Sequence, residues 1–94
     1  MTEKISTVAI VTGASRGIGA AVAERLAADG LTVVVNYSGD VNSAEALVRK
    51  IEGQGGRALA FKADVSDSGA VRGMFDAAET AFGGVDVLVT MPVS

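Results

Sequence analysis

The segment Thr12-Gly13-Ala14-Ser15-Arg16-Gly17-Ile18-Gly19 constrains this chain more than any other stretch. It follows an apolar run, Ser6 to Val11, that reads as a buried strand. It opens a stretch in which Ile18, Val22 and Leu26 recur every four residues, which predicts a helix with an apolar stripe that ends near Gly30. A strand that turns into a helix over three spaced glycines points to an α/β arrangement. Gly13 permits the tight turn, Gly17 lets a phosphate approach the backbone, and Gly19 allows helix and strand to pack closely. The helix N-terminus then offers N–H groups and a positive dipole end to an anion.

The same alternation runs along the rest of the chain. Thr32-Val33-Val34-Val35-Asn36 reads as a second strand. Ala44, Leu47, Val48 and Ile51 predict a second helix, capped by Asn42 or Ser43 and ended by Gly53 to Gly56. Arg57 to Ala63 is a third strand. Val71, Phe75, Ala78 and Phe82 mark a third helix, capped by Ser66 or Asp67, and Val85 to Val89 forms a fourth strand. The strands are too continuously apolar for a sheet open to water, which implies a parallel sheet covered by helices. Right-handed crossovers give four parallel strands in the order 3-2-1-4 with three helices, half of a doubly wound fold. No internal linker, repeat or low-complexity segment interrupts it.

Composition narrows the chemistry. Ninety-four residues make one domain, and the absence of Cys and His excludes disulfides, thiolate zinc sites, a Cys nucleophile and any His-based triad. The net charge of -3 and the absence of any Lys or Arg run argue against a nucleic-acid partner. The run Val8 to Val11 is too short for a signal peptide or a membrane span, so a cytoplasmic protein is expected. The glycine loop ends Gly17-Ile18-Gly19 rather than in Gly-Lys-Ser/Thr, which excludes a nucleoside-triphosphatase phosphate loop. Thr12 stands where a response regulator needs acids for Mg²⁺, and no metal site is expected.

With the spacing TGxxxGxG, residues 12–19 resemble the cofactor loop of the short-chain dehydrogenase/reductase family. Asp64-Val65 resembles the family's adenine-contacting pair, and Gly83 to Val89 resembles the approach to its fourth strand. The resemblance covers residues 5 to 89 and is closest to 3-oxoacyl-carrier-protein reductases and their relatives. It implies the dinucleotide-binding half of a Rossmann fold over residues 1–89, followed by a tail at 90–94. The expected cofactor-binding set is Gly13, Ser15, Arg16, Gly17, Ile18, Gly19, Asn36, Tyr37, Ser38, Asp64 and Val65.

Proteins that bind NAD place an acid at the end of the second strand to accept from the ribose hydroxyls. Asn36-Tyr37-Ser38 supplies none, which also counts against an S-adenosylmethionine enzyme. Arg16 suits a 2′-phosphate, as Arg does in family members that prefer NADP, so NADP(H) is the expected cofactor, weakly bound.

The family's chemistry uses a Tyr whose pKa is lowered by a Lys four residues later. The only tyrosine is Tyr37, and the fourth residue after it is Val41. Tyr37 reads as a loop residue near the adenosine ribose, and Asp64 and Asp86 as structural or solvated acids, so no catalytic residue is assigned. After its fourth strand the family reads Asn-Asn-Ala-Gly, whereas this chain reads Thr90-Met91-Pro92-Val93-Ser94. If Asn-Asn-Ala-Gly-Ile-Met were encoded AAC AAT GCC GGT ATC ATG and then A, loss of one A gives ACA ATG CCG GTA TCA TGA. That spells Thr-Met-Pro-Val-Ser and a stop. A frameshifted, truncated dehydrogenase is therefore expected, the alternative being a cut fragment with a vector-derived tail. Such a chain leaves residues 85–89 at an open sheet edge with apolar side chains on both faces. A homodimer that pairs this strand antiparallel with its symmetry mate, or exchanges neighbouring elements, is expected to cover it. The alternative function is then a folded remnant with none of its own, held together by that dimer.

Overall fold

The structure, a computed structural model, describes residues 7–14 and 17–90. Its elements follow in the order β1 (Val8–Val11), α1 (Gly17–Ala28), β2 (Thr32–Tyr37), α2 (Val41–Gly53), β3 (Arg57–Lys62), α3 (Ser68–Phe82) and β4 (Val87–Val89). The four strands form one sheet in the order β3-β2-β1-β4, and every pairing is parallel. This is the doubly wound half-fold that the sequence pattern predicts. β-branched residues favour extended backbone in β1, β2 and β4, and a helix follows each of the first three strands.

Two clusters fill the two sides of the sheet. Val11, Val33 and Val35 pack against Ala23 and Ala27 of α1 and Ala44, Leu47 and Ile51 of α2. On the other side Val8, Ile10 and Val34 pack against Met74 and Ala78 of α3. Burial of each of the larger side chains contributes roughly 1.5–3 kcal/mol. Lys50 Nζ lies 2.9 Å from Glu24 Oε1 and links the outer faces of α1 and α2.

Two local expectations, on α1 and α2, change. The buried stripe of α1 is Gly19, Ala23 and Ala27, and Ile18, Val22 and Leu26 flank it. Small residues let the helix approach the sheet, which leaves their larger neighbours on the shoulder and Ile18 74% exposed. The cap of α2 is Asp40, not Asn42 or Ser43. Its Oδ1 accepts from the Ser43 N–H at 3.0 Å and its Oδ2 from the Ser43 hydroxyl at 2.6 Å, so the helix begins two residues before Ser43. For α3 the cap is Asp67, one of the two candidates, and the helix closes on Gly83 at φ 91°.

The fourth strand is also shorter than residues 85–89. Asp86 does not join the ladder at full register. Its N–H donates to the Val8 carbonyl at 2.8 Å, and its Oδ2 accepts from the Val8 N–H at 2.9 Å. The carboxylate therefore acts as a peg between β1 and β4, a structural role. Val85 packs with the α3 cluster and Val89 with the other one. Among the described residues β4 forms the outer edge of the sheet, with Val87 38% and Leu88 48% exposed. Residues 91–94 lie outside the described residues.

Candidate functional site

In the order β3-β2-β1-β4, the chain runs outward from β1 to β3 and then returns to the other side of β1. The topological switch point lies between β1 and β4, and in open parallel sheets ligands bind beyond the carboxyl ends of the strands there. The predicted site residues gather at that end of the sheet. Thr12-Gly13-Ala14 leaves β1, Asn36-Tyr37-Ser38 closes β2, and Asp64-Val65 follows β3. Ser15 and Arg16 lie outside the described residues.

Hydrogen bonds tie these strand ends into one rim. The Gly13 N–H donates to Asn36 Oδ1 at 3.1 Å, and the Ala14 N–H to the Asn36 carbonyl at 2.9 Å. The Asn36 amide Nδ2 donates to the Ala63 carbonyl at 3.0 Å, and the Ala63 N–H donates to the Tyr37 carbonyl at 2.9 Å. On the β4 side, the Thr12 N–H reaches the Val89 carbonyl at 3.0 Å. Asn36 is 2% exposed and spends both ends of its amide inside the chain. It is therefore a positioning residue that joins the glycine loop to β3. A polar side chain in an otherwise apolar strand was the signal for this.

Gly13 and Gly19 take the turn and close-packing roles the spacing predicts. Gly13 at φ 60° and Gly17 at φ 68° hold left-handed backbone that side chains avoid, and among the described residues a Cβ on either would meet nothing within 4 Å. Among the described residues, open space therefore lies over both backbones. Gly19 is the opposite case, because a Cβ there would sit 2.5 Å from the Gly13 carbonyl oxygen. The first turn of α1 carries no acid, so its positive end faces that open space uncompensated. A cradle of bare backbone at the start of a helix fits a diphosphate.

On the far side of the rim, Tyr37 is partly buried against the α1/α2 core, while Ser38 is exposed. Val65 is 48% exposed and offers an apolar surface beside Asp64. Asp64 Oδ1 accepts from the Ser66 hydroxyl at 2.7 Å and from the Ser66 N–H at 2.9 Å. These two bonds, the hydroxyl first, hold the Asp64 carboxyl below its ordinary value. A depressed carboxyl stabilises the fold above its unfolded pKa, and that contribution disappears as pH falls through the folded value. Ser66→Ala removes the larger cause, so the Asp64 pKa is expected to rise toward the ordinary carboxylate value while staying below it. A carbon-detected NMR titration of the side-chain carboxyl checks this; an unmoved midpoint would mean the hydroxyl bond does not form in solution.

An open groove of about 510 Å³ lies at the other end of the sheet, between the C-terminal turns of α1 and α2. Ala27, Gly30, Leu31, Ile51, Gln54 and Arg57 are among the residues that line it, and none of the site residues does. Among the described residues there is no group of three or more acids that would hold a metal ion. No described helix is long and apolar enough to cross a membrane.

Known proteins carry the same architecture. The chain is 51% identical over 89 residues to an uncharacterized oxidoreductase of Methylorubrum extorquens, covering 95% of this chain and 36% of that protein. It is 44% identical over 86 residues to the 3-oxoacyl-[acyl-carrier-protein] reductase FabG of Staphylococcus aureus, covering 92% and 35% respectively. A short chain dehydrogenase of Burkholderia cenocepacia, solved in complex with NADP, superimposes with a TM-score of 0.83 at 48% identity, over 92% of this chain and 36% of that one. The chain thus spans about a third of the length of the curated relatives it matches. The sequence model of the short chain dehydrogenase family matches residues 7–91, from the start of β1 to just beyond β4, and this chain belongs to that family.

Proposed function

We propose that this chain binds NADP(H) as the dinucleotide-binding part of a short chain oxidoreductase. The observation that carries this is the open backbone cradle at Gly13 and Gly17, set at an uncompensated helix N-terminus and tied by Asn36 to the ends of β2 and β3. The backbone from Gly13 to Gly19, including the N–H of Ile18, takes the pyrophosphate. Tyr37 and Ser38 border the adenosine ribose, and Asp64 and Val65 border the adenine. Arg16 pairs with the 2′-phosphate. The bound nicotinamide supplies a hydride, and this chain's own residues bind and orient the nucleotide. The proton donor comes from elsewhere, because Tyr37 is the only tyrosine and Val41, not Lys, stands four residues on. Support for the phosphate-bearing cofactor comes from the NADP complex of the Burkholderia relative. Binding by this chain is weak, since its contacts reach only the adenosine and pyrophosphate.

Calorimetric titration with NADPH and NADH tests the proposal. Removing one charge-assisted phosphate contact, Arg16→Ala is expected to weaken NADPH roughly ten-fold or more and NADH by less than about two-fold. An equal loss for both would show that Arg16 does not read the 2′-phosphate. A second possibility, a fold with no nucleotide function that persists by self-association, is favoured by exposed Val87 and Leu88 on the outermost strand. In that case strand 85–89 pairs with its copy in a homodimer, sedimentation shows a dimer, and neither nucleotide binds.

A further inference from the structure

The two ends of the site proposed for the nucleotide belong to different strands. The diphosphate cradle leaves β1 at Gly13, and the turn assigned to the adenine, Asp64-Val65, follows β3. Strand β2 lies between them, and the bonds that cross it meet at Asn36 and its neighbour Tyr37. Each crossing is made twice. Toward β1, the Asn36 carbonyl accepts from the Ala14 N–H at 2.9 Å, and Oδ1 accepts from the Gly13 N–H at 3.1 Å. Toward β3, the Tyr37 carbonyl accepts from the Ala63 N–H at 2.9 Å, and Nδ2 donates to the Ala63 carbonyl at 3.0 Å. One hydrogen bond fixes a distance and leaves a hinge, and a second beside it removes the rotation. The backbone bonds thus set how far apart the loop and the turn stand, and the side-chain amide sets how they are oriented.

Few side chains of this size can do so. A carboxylate only accepts, leucine does neither, and a hydroxyl stands one bond nearer the backbone, whereas a planar amide carries donor and acceptor side by side. Asn36 is almost fully buried, so water does not compete for either end. The turn beyond Ala63 is held as well, by the Ser66 N–H and hydroxyl on Asp64 Oδ1 and by the Asp67 N–H on the Asp64 carbonyl at 2.9 Å. Order therefore runs without a break from Gly13 to Asp67.

We propose that Asn36 is a positioning residue that fixes the diphosphate cradle and the adenine turn at one spacing and orientation, so that both ends of a dinucleotide engage at once. This rests on the nucleotide binding proposed above. A dinucleotide is two linked ligands. Once one end is bound, the other meets its subsite at a high effective concentration, provided the subsites match its span. Without the amide the loop and the turn rotate independently, and binding must order them. Adenosine or pyrophosphate alone occupies one subsite and does not depend on the spacing.

The test compares whole and part ligands on the whole chain. The unmutated chain and Asn36→Leu are titrated with NADPH, adenosine and inorganic pyrophosphate, followed by amide chemical shifts well below the melting temperature of both. NADPH is expected to bind about ten-fold more weakly to Asn36→Leu, and adenosine and pyrophosphate by less than about two-fold. A purely stabilising role would weaken all three by one factor, through the fraction of chain unfolded, and that result overturns the role of Asn36. Undiminished NADPH affinity overturns it too. If the unmutated chain binds none of the three, the nucleotide reading falls and this inference with it. Asn36→Thr replaces Asn36→Leu if that variant does not fold, with the same outcomes, because its one hydroxyl cannot reach both partners.

Discussion

Gly19→Ala is expected to be the most damaging methyl group that can be added to this chain. The new Cβ would stand 2.5 Å from the Gly13 carbonyl oxygen, 3.0 Å from Ala14 Cα and 3.1 Å from the Gly13 carbonyl carbon. All three are backbone atoms of the turn that leads out of β1, so no rotamer change relieves the contact. Helix α1 must move off the sheet along the stripe of Gly19, Ala23 and Ala27 that seats it. Overpacking of this kind costs about 2–4 kcal/mol. For a domain of this size the melting temperature then falls by roughly 10–25 °C, measured by circular dichroism. Nucleotide affinity falls with it, because the cradle is the turn being displaced. Gly17→Ala is the informative contrast. Among the described residues its Cβ meets nothing within 4 Å, and the φ of 68° opposes it at about 1 kcal/mol. It should therefore spare the fold far better than Gly19→Ala, while its methyl group enters the space proposed for the pyrophosphate and removes binding. Full nucleotide affinity in Gly17→Ala would show that the phosphate lies elsewhere.

Asn36→Leu is the second large effect. Leucine fills a similar volume, so little cavity forms, but two hydrogen bonds disappear at once. The Gly13 N–H loses Oδ1 and the Ala63 carbonyl loses Nδ2, at a position 2% exposed. Leaving the buried Ala63 carbonyl without a donor costs about 1–3 kcal/mol, and the part-buried Gly13 N–H adds less. A total of about 3 kcal/mol is expected in urea denaturation, with an unchanged slope. Loss of the tie also frees the glycine loop from β3, so hydrogen exchange at the Gly13 amide should accelerate. A variant with native stability and a protected Gly13 amide would mean that the loop is held by the Ala14 bond to the Asn36 carbonyl alone.

Short-range physics made much of this protein legible in its sequence. Residue spacing decides where a helix or strand forms, and the three helices and four strands stand where apolar periodicity and glycine stops place them. The need for positive φ at Gly13 and for contact distance at Gly19 is likewise local to one turn, so the cradle was readable from TGxxxGxG. The order of the strands followed from crossover handedness, a property of the polypeptide and not of any one residue.

What only the tertiary structure decided depends on atoms far apart in the chain. Periodicity finds an apolar stripe on α1 at Ile18, Val22 and Leu26, but the distance of helix from sheet selects the neighbouring stripe of small residues for burial. Asn36 reads as a ligand contact until the register of β1 beside β2 and of β2 beside β3 aims its amide at Gly13 and Ala63, 23 and 27 residues away. Asp86 likewise becomes a peg only because β4 returns to lie beside Val8, 78 residues earlier. Hydrogen bonds and charges act over a few ångströms whatever the separation along the chain, and the sheet register alone determines which of them meet.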